Sequence, residues 1–309
     1  MSEDIKDIIV VGGGPAGITA GITAGIYSAR YMLDTMVISS DIEGQVAKSH
    51  KICNYTSHAD ISGMDLSQKM YEHIKSLDVP FLFDQVTKIK KKDGIFHLST
   101  MSKTEYKAKK VIFTAGTKHK HLDIKGEKEF AGKGVSYCAT CDAAFFKDKM
   151  VAVVGGGDAA VKAALLLSDF SRYVYIIYRR EKFFRAEPAW VKLLKEAKNV
   201  KTLFNENITE IKGDNFVESV TLKSGREINV DGVFVEIGSE PKLEFIDSLL
   251  LDKDQNGYLK VNDANETNVE GFFAAGDVTD EVLKQIITAA AQGAKAAYGA
   301  YTELRREAS

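Results

Sequence analysis

Ile8-Ile9-Val10-Val11-Gly12-Gly13-Gly14-Pro15-Ala16-Gly17 is the stretch on which the fold turns. Four apolar residues of strand length run into a glycine-rich turn, and a small-residue stretch of helical character follows to about Ala29. In that context each glycine has a job. Gly12 permits the tight strand-to-helix turn, Gly14 lets the backbone approach a pyrophosphate, and Gly17 lets the helix pack close on the strand, with the helix N-terminus facing the phosphates. The glycine spacing is weak in isolation; the strand before it and the helix after it make it a dinucleotide-binding turn. The next strand, Thr35 to Ser39, ends near Asp41, an acid placed to accept from an adenosine ribose hydroxyl, with a loop solubiliser as the plainer alternative.

The pattern occurs twice. Met150-Val151-Ala152-Val153-Val154 leads into Gly155-Gly156-Gly157-Asp158-Ala159-Ala160, with Ala160 at the third glycine position, where a small residue is what helix–strand packing needs. Two such units imply two nucleotides and an α/β fold of two Rossmann-like, three-layer domains. After the strand Tyr175 to Tyr178 the chain offers Arg179-Arg180 where a site for NAD would offer an acid. Guanidinium forks there suit a 2′-phosphate, and a solvated strand cap is the alternative.

Between the two units lies Ser136-Tyr137-Cys138-Ala139-Thr140-Cys141-Asp142. Cysteines at this spacing can close a strained, exposed disulfide of the catalytic kind. Small Ala139 and Thr140 leave the sulfurs reachable, a following helical turn depresses the pKa of the more N-terminal thiol, and Asp142 sets a proton donor beside the second sulfur. The alternatives are half a zinc site or two buried thiols. Zinc needs more ligands, and the only other cysteine is Cys53, with six histidines scattered through loops and short strands. No metal site is expected.

Elsewhere the reading is structural. Leu66, Met70, Ile74 and Leu77 share one face of a helix over Asp65 to Leu77. Short apolar runs at Ile95-Phe96 and Tyr106 form a hairpin, Lys90 to Lys92 and Lys107 to Lys110 flank strand ends in solvent, and Val111 to Gly116 is a buried strand. Pro188 opens a helix to Ala197 with Trp190 in its apolar face, and Val217 to Val230 is a second hairpin. Val233 to Ile237 is buried. Gly271 to Asp277 is a strand with a Gly-Asp ending, followed by an Ala-rich helix from about Glu281. That start sets Asp277 beside a helix N-terminus, where its carboxylate can accept from a ribityl hydroxyl while the positive helix end stabilises an anionic reduced flavin. With 309 residues, 45% hydrophobic, 27% charged and a net charge of −2, nothing suggests a nucleic-acid footprint or a membrane span. The acidic start Met1-Ser2-Glu3-Asp4 and the sparse cysteines give the expectation of a cytoplasmic chain without a signal peptide.

Gly12 to Gly17, Gly44-Gln45, Asn54-Tyr55, Thr114-Ala115-Gly116, Cys138-Ala139-Thr140-Cys141-Asp142, Gly155 to Ala160 and Gly276-Asp277-Val278-Thr279 together resemble the low-molecular-weight thioredoxin reductases, small dimeric flavoproteins. The resemblance implies an FAD domain in two segments, residues 1–117 and 244–309, with an NADPH domain of residues 118–243 inserted between them and hinges near Thr117 and Lys242. It implies electron flow from NADPH through FAD and a Cys138–Cys141 disulfide to thioredoxin, with Cys141 nearest the flavin, Cys138 attacking the partner and Asp142 as acid–base residue. It assigns Gly12, Gly14, Pro15, Ala16, Gly17, Asp41, Gly44, Gln45, Asn54, Ala115, Gly116, Gly276, Asp277, Lys284 and Gln285 to FAD. To NADPH it assigns Gly155, Gly157, Asp158, Ala159, Arg179, Arg180 and Arg185. Four positions depart from the family's pattern. Tyr178 replaces a His before the arginines, with four residues instead of three before Arg185; Lys162-Ala163 replaces a Glu pair; Lys284-Gln285 replaces Arg-Gln; and Cys53 replaces an acid and reads as a bystander. The rival reading keeps the fold and changes the donor to NADH or ferredoxin, or the acceptor to a glutaredoxin-like protein.

Overall fold

The computed structural model describes residues 5–14, 30–42, 44, 46–47, 52 and 54–308, apart from the side chain of Cys141. Pro15, Ala16, Gly17, Gln45 and Cys53 lie outside the described residues, as does the helix expected to run to Ala29. The chain divides into two compact units, Met1–Lys118 with Glu240–Ser309, and His119–Ser239.

In the first unit β1 (Ile5–Val11) pairs in parallel with β2 (Thr35–Ser39), Val10 opposite Val37. Ser62 caps α1 (Gly63–Lys75) by accepting the Asp65 N–H, and α1 buries Leu66, Met70 and Ile74, while Leu77 falls past its end. β3 (Phe81–Phe83) extends the parallel layer beside β2, and β4 (Val86–Lys92), β5 (Ile95–Thr100) and β6 (Glu105–Phe113) form an antiparallel flank. Here the structure corrects the sequence reading. The Tyr106 arm and the Val111 strand are one continuous strand, β6, because β5 pairs with its first half (Ala108 opposite Phe96) while β1 runs beside it from Lys107 to Phe113 (Val111 opposite Ile9). Lys107–Lys110 therefore lies inside a strand, and Lys110 is only 3% exposed.

The chain leaves this unit through β7 (Thr117–His119). The inserted unit comprises β8 (Val135–Ser136), α2 (Ala139–Asp142), β9 (Met150–Val154), α3 (Asp158–Ser168), β10 (Tyr173–Tyr178), α4 (Pro188–Glu196), β11 (Val200–Phe204), β12 (Ile208–Gly213), β13 (Val217–Leu222), β14 (Glu227–Asn229) and β15 (Gly232–Val235). Five strands form a parallel sheet in the order β11-β10-β9-β15-β8. One face buries Val151, Val153, Ile176 and Phe234 with Ala160, Val161, Ala164 and Leu167 of α3, and Trp190 packs at the rim of that cluster. The other buries Val154, Val233 and Val235 with Ile208, Val220 and Leu222 of the antiparallel sheet β12-β13-β14. Burial on both faces is why β9, β10 and β15 at the middle of the sheet read as apolar runs.

The chain returns through β16 (Ser239–Pro241), which pairs with β7. β17 (Phe272–Ala274) joins the second half of β6 in parallel. The sheet alternates as a strand must: Ile8, Val10, Ile112 and Phe273 pack under Ala289, Ala296, Ala297 and Ala300 of α5 (Ile286–Glu307), while Ile9, Val11, Phe113 and Phe272 face the opposite way. Lys110 Nζ donates to Glu303 (2.7 Å) and Glu307 on successive turns of α5. Burial pulls the Lys110 pKa down, but the two carboxylates outweigh it and hold the ammonium above the ordinary lysine value. The helix starts at Ile286 behind a Gln285–Thr288 capping box, not near Glu281, so Asp277 is not directly ahead of its first turn. No described helix is long and apolar enough to cross a membrane.

Candidate active site and nucleotide-binding turns

The predicted FAD residues of the first unit follow the carboxyl ends of neighbouring parallel strands. Gly12 to Gly14 follow β1, Asp41 and Gly44 follow β2, Ala115 and Gly116 follow β6, and Gly276 and Asp277 follow β17. Ligands of open α/β sheets bind at that edge. A Cβ on Gly12 (φ +116°) would collide with the Thr114 carbonyl, and one on Gly13 with the Asp41 carbonyl, whereas one on Gly14 would meet nothing within 4 Å among the described residues. Thr114 Oγ1 donates to the Val11 and Gly12 carbonyls at 2.9 and 3.1 Å, tying β6 to the turn. Asp41 Oδ1 accepts the Gly44 N–H at 2.8 Å, and a Cβ on Gly44 would lie 3.2 Å from Gly14 Cα. Asp41 thus closes the loop that backs the open glycine.

The second unit repeats the arrangement at the carboxyl edge of its own sheet. A Cβ on Gly155 (φ +149°) would strike the Glu236 carbonyl, one on Gly156 would strike the Tyr178 ring, and one on Gly157 would meet nothing within 4 Å. Asp158, in the first turn of α3, accepts the Glu187 N–H at 2.7 Å, and Ala159 follows it on the same turn. Arg179 and Arg180 follow β10 next door and are exposed, as is Arg185. The Arg180 guanidinium lies 5.4 Å from the Phe184 ring centre, with Lys182 Nζ 5.2 Å from the same ring.

The dithiol stretch leaves the edge strand β8. Ser136 Oγ accepts the Cys138 N–H at 3.0 Å, α2 begins at the next residue, and Asp142 N–H donates to the Cys138 carbonyl at 3.2 Å. Cys138 is disulfide-bonded and half-buried, with Thr140 Oγ1 3.3 Å from its sulfur. The turn is anchored from behind: Tyr137 O–H donates to fully buried Glu127 at 2.9 Å, which also accepts the Leu122 and Asp123 N–H groups. Burial, then that carboxylate, pushes the Tyr137 pKa up. No described group of acidic, His or Cys side chains could hold a metal ion.

The family model for pyridine nucleotide-disulphide oxidoreductases matches residues 6–293. Thioredoxin reductase of Bacillus subtilis is 39% identical over 96% of this chain and 94% of its own length. The chain belongs to the thioredoxin reductase family. Among solved structures, thioredoxin reductase of Lactococcus lactis is similar at TM-score 0.89 and 34% identity, covering 97% of this chain and 99% of that one. A ferredoxin-flavin thioredoxin reductase from Clostridium acetobutylicum is similar at TM-score 0.54 and 33% identity, covering 97% and 98%.

The family's Arg-Gln pair is Lys284-Gln285 in this chain, and the lysine has a local role. Lys284 Nζ donates to the Asp277 and Thr279 carbonyls at 2.9 and 2.7 Å and sits 3.9 Å over the Tyr258 ring. Burial lowers its pKa against the pull of Asp277 and other acids; burial raises that of Asp277 against Lys284. Gln285 Oε1 accepts from Asn54 Nδ2 at 2.8 Å, so two predicted FAD residues far apart in sequence meet. Lys162, where the family carries an acid, lies 4.9 Å over Trp190.

Two residues escaped the sequence reading. Phe145 is 74% exposed just past the dithiol turn, while Phe146 is buried. Glu236 follows β15 and is half-buried, and burial raises its pKa to about 7. Its signal was present: an acid set between apolar Val235 and Ile237 at the end of a buried run.

Proposed function

We propose that the chain is an NADPH-dependent thioredoxin-disulfide reductase with FAD on the first unit, NADPH on the inserted one, and a Cys138–Cys141 disulfide as the outlet, acting as a cytoplasmic homodimer. The observation that carries it is the disulfide-bonded Cys138 at the head of a short helical turn, in the unit that also holds a glycine turn and an arginine pair at one sheet edge. The two open glycines, Gly14 and Gly157, fit close approach of two pyrophosphates, since among the described residues no atom stands where either Cβ would be.

When bound, FAD supplies two-electron relay between nicotinamide and disulfide. The chain's own residues do the rest. Arg179 and Arg180, with Arg185 nearby, hold the 2′-phosphate; Asp277 accepts from the ribityl chain. Asn54 and Gln285 brace each other, and Asp41 holds the Gly44 turn behind the pyrophosphate. After reduction the Cys138 thiolate attacks the disulfide of thioredoxin, forming one S–S bond and expelling one thiolate, which Asp142 protonates. Cys141 then attacks Cys138, reforming the internal disulfide and releasing dithiol thioredoxin. Anaerobic titration with NADPH and NADH in parallel, followed by thioredoxin and a glutaredoxin, tests this. Stoichiometric bleaching by NADPH and turnover with thioredoxin are expected. Bleaching only by NADH, or only by reduced ferredoxin, would move the chain to the rival donor.

A further inference from the structure

Behind the dithiol turn His121, Tyr137 and Glu127 form one hydrogen-bonded chain. Glu127 is fully buried, and its carboxylate accepts the Leu122 and Asp123 N–H groups at 2.9 and 2.7 Å, which holds its own loop. It takes a further bond from outside that loop, from the Tyr137 hydroxyl at 2.9 Å. His121 Nδ1 stands 3.0 Å from the same hydroxyl and 3.5 Å from the Glu127 carboxylate. A phenol has one proton to give. Tyr137 gives it to Glu127, so its oxygen accepts from His121, and Nδ1 carries the hydrogen. Burial and the Glu127 carboxylate raise the Tyr137 pKa, which keeps the donor protonated. The ring is held as well: the His121 imidazole meets it edge-on with centres 5.1 Å apart, and the His119 ring lies 6.2 Å away at 30°. Tyr137 immediately precedes Cys138, whose N–H donates to Ser136 Oγ at 3.0 Å. The backbone at this sulfur is therefore tied to β8 through Ser136 and to a buried carboxylate through Tyr137.

We propose that Tyr137 is a positioning residue: with His121 and Glu127 it latches the Cys138 backbone in the arrangement that closes the disulfide, and so lowers the reduction potential of that bond. The inference rests on the reading of Cys138–Cys141 as the outlet for electrons. A contact can move a redox equilibrium only by as much as it is stronger in one state than in the other. The latch is complete in the disulfide form. Two thiols cannot lie as close as two bonded sulfurs, so reduction moves the Cys138 backbone, and with it the residue before it, at the expense of the latch.

The test is the midpoint potential of the disulfide in the FAD-loaded chain, equilibrated anaerobically with graded ratios of reduced to oxidised dithiothreitol and read by alkylation and mass spectrometry. Opening the bond takes two electrons and two protons from the reagent, which closes to its own cyclic disulfide. Tyr137→Phe removes the hydroxyl and keeps the ring. It should favour the dithiol by up to about tenfold, a rise of about 30 mV for a two-electron couple, with flavin content at the parent level. His121→Ala, at a half-exposed side chain, should move the midpoint the same way by less. In both variants the melting temperature of the disulfide form should fall more than that of the dithiol form. A merely structural role would lower the two equally and leave the midpoint in place. An unchanged or lower midpoint in Tyr137→Phe overturns the proposal, and should that variant fail to hold flavin, His121→Ala decides by the same criterion. The underlying reading fails separately: if NADPH leaves both cysteines of the unsubstituted chain closed to alkylation, they are not the outlet, whatever the latch does.

Discussion

The two glycine turns do the same local work with different neighbours. In the first unit Gly12 and Gly13 are crowded by the backbone of Thr114 and Asp41; in the second Gly155 and Gly156 are crowded by the Glu236 backbone and the Tyr178 ring. In both, no described residue crowds the third glycine. A glycine motif thus fixes a strand, a turn and a gap, and the neighbouring strand ends decide what fills the gap. The strand paired on one side ends in Asp41 in the first unit and in Arg179-Arg180 in the second. The strand on the other side is followed by a neutral hydroxyl, Thr114, in the first and by the acid Glu236 in the second. Only the second unit carries the disulfide-bonded Cys138, on the turn that leaves its edge strand β8.

The largest expected contrast comes from the cysteines. Cys138→Ser and Cys141→Ser should each lower thioredoxin turnover by at least about three orders of magnitude, because no other route forms the mixed disulfide. Both should still bleach stoichiometrically with NADPH. Retained thioredoxin reduction in either variant would remove this stretch from the active site.

Next in size are the turns themselves. Gly13→Val would drive a branched side chain into the Asp41 carbonyl and should give colourless or FAD-poor protein. Gly156→Val, aimed at the Tyr178 ring, should stay yellow and lose its response to NADPH. Absorbance at the flavin band and NADPH bleaching read both at once, and a swap of the two phenotypes would exchange the nucleotides between the units.

How much of this is legible beforehand depends on the range of the interaction. The parallel strands β1, β2, β9 and β10 are visible because burial on both faces leaves unbroken apolar runs that end in glycine or charge. β4 and β12 are not, since Val86, Ile89, Ile208 and Ile211 alone are buried among exposed or half-buried polar residues, and such spacing also fits a helix. The start of α5 misleads because Glu281 to Lys284 has helix-compatible composition, yet Lys284 folds that segment back onto the Asp277 and Thr279 carbonyls. Lys110 reads as solvated because its partners, Glu303 and Glu307, lie at the far end of the chain. The candidate site residues are legible as types at motif positions; the Asn54–Gln285 contact is tertiary and leaves no local trace.

A smaller effect probes the arginine pair. Removing both guanidinium groups in Arg179→Ala/Arg180→Ala should cost about 1.5–3 kcal/mol per charge-assisted bond and raise the NADPH Michaelis constant by one to several orders of magnitude. NADH should be little affected. Equal use of NADPH by parent and variant would make these arginines a strand cap, and Arg180 on Phe184 its decoration.

The smallest effect separates the exposed apolar side chains of the two units. Phe145 in the inserted unit and Val282 in the other are both open to solvent, at 74% and 97%. Phe145 lies three residues past Asp142, within reach of a protein whose disulfide is being attacked at Cys138, and covering a phenyl ring against a partner is worth about 1–2 kcal/mol. Phe145→Ala should therefore raise the Michaelis constant for thioredoxin by about five- to twentyfold with little change in kcat, and leave reduction of a small disulfide such as dithionitrobenzoate at the parent rate. Val282→Ala should change neither. If Val282 and not Phe145 altered thioredoxin affinity, the partner would dock on the flavin-binding unit, and the dithiol turn would have to reach it from elsewhere.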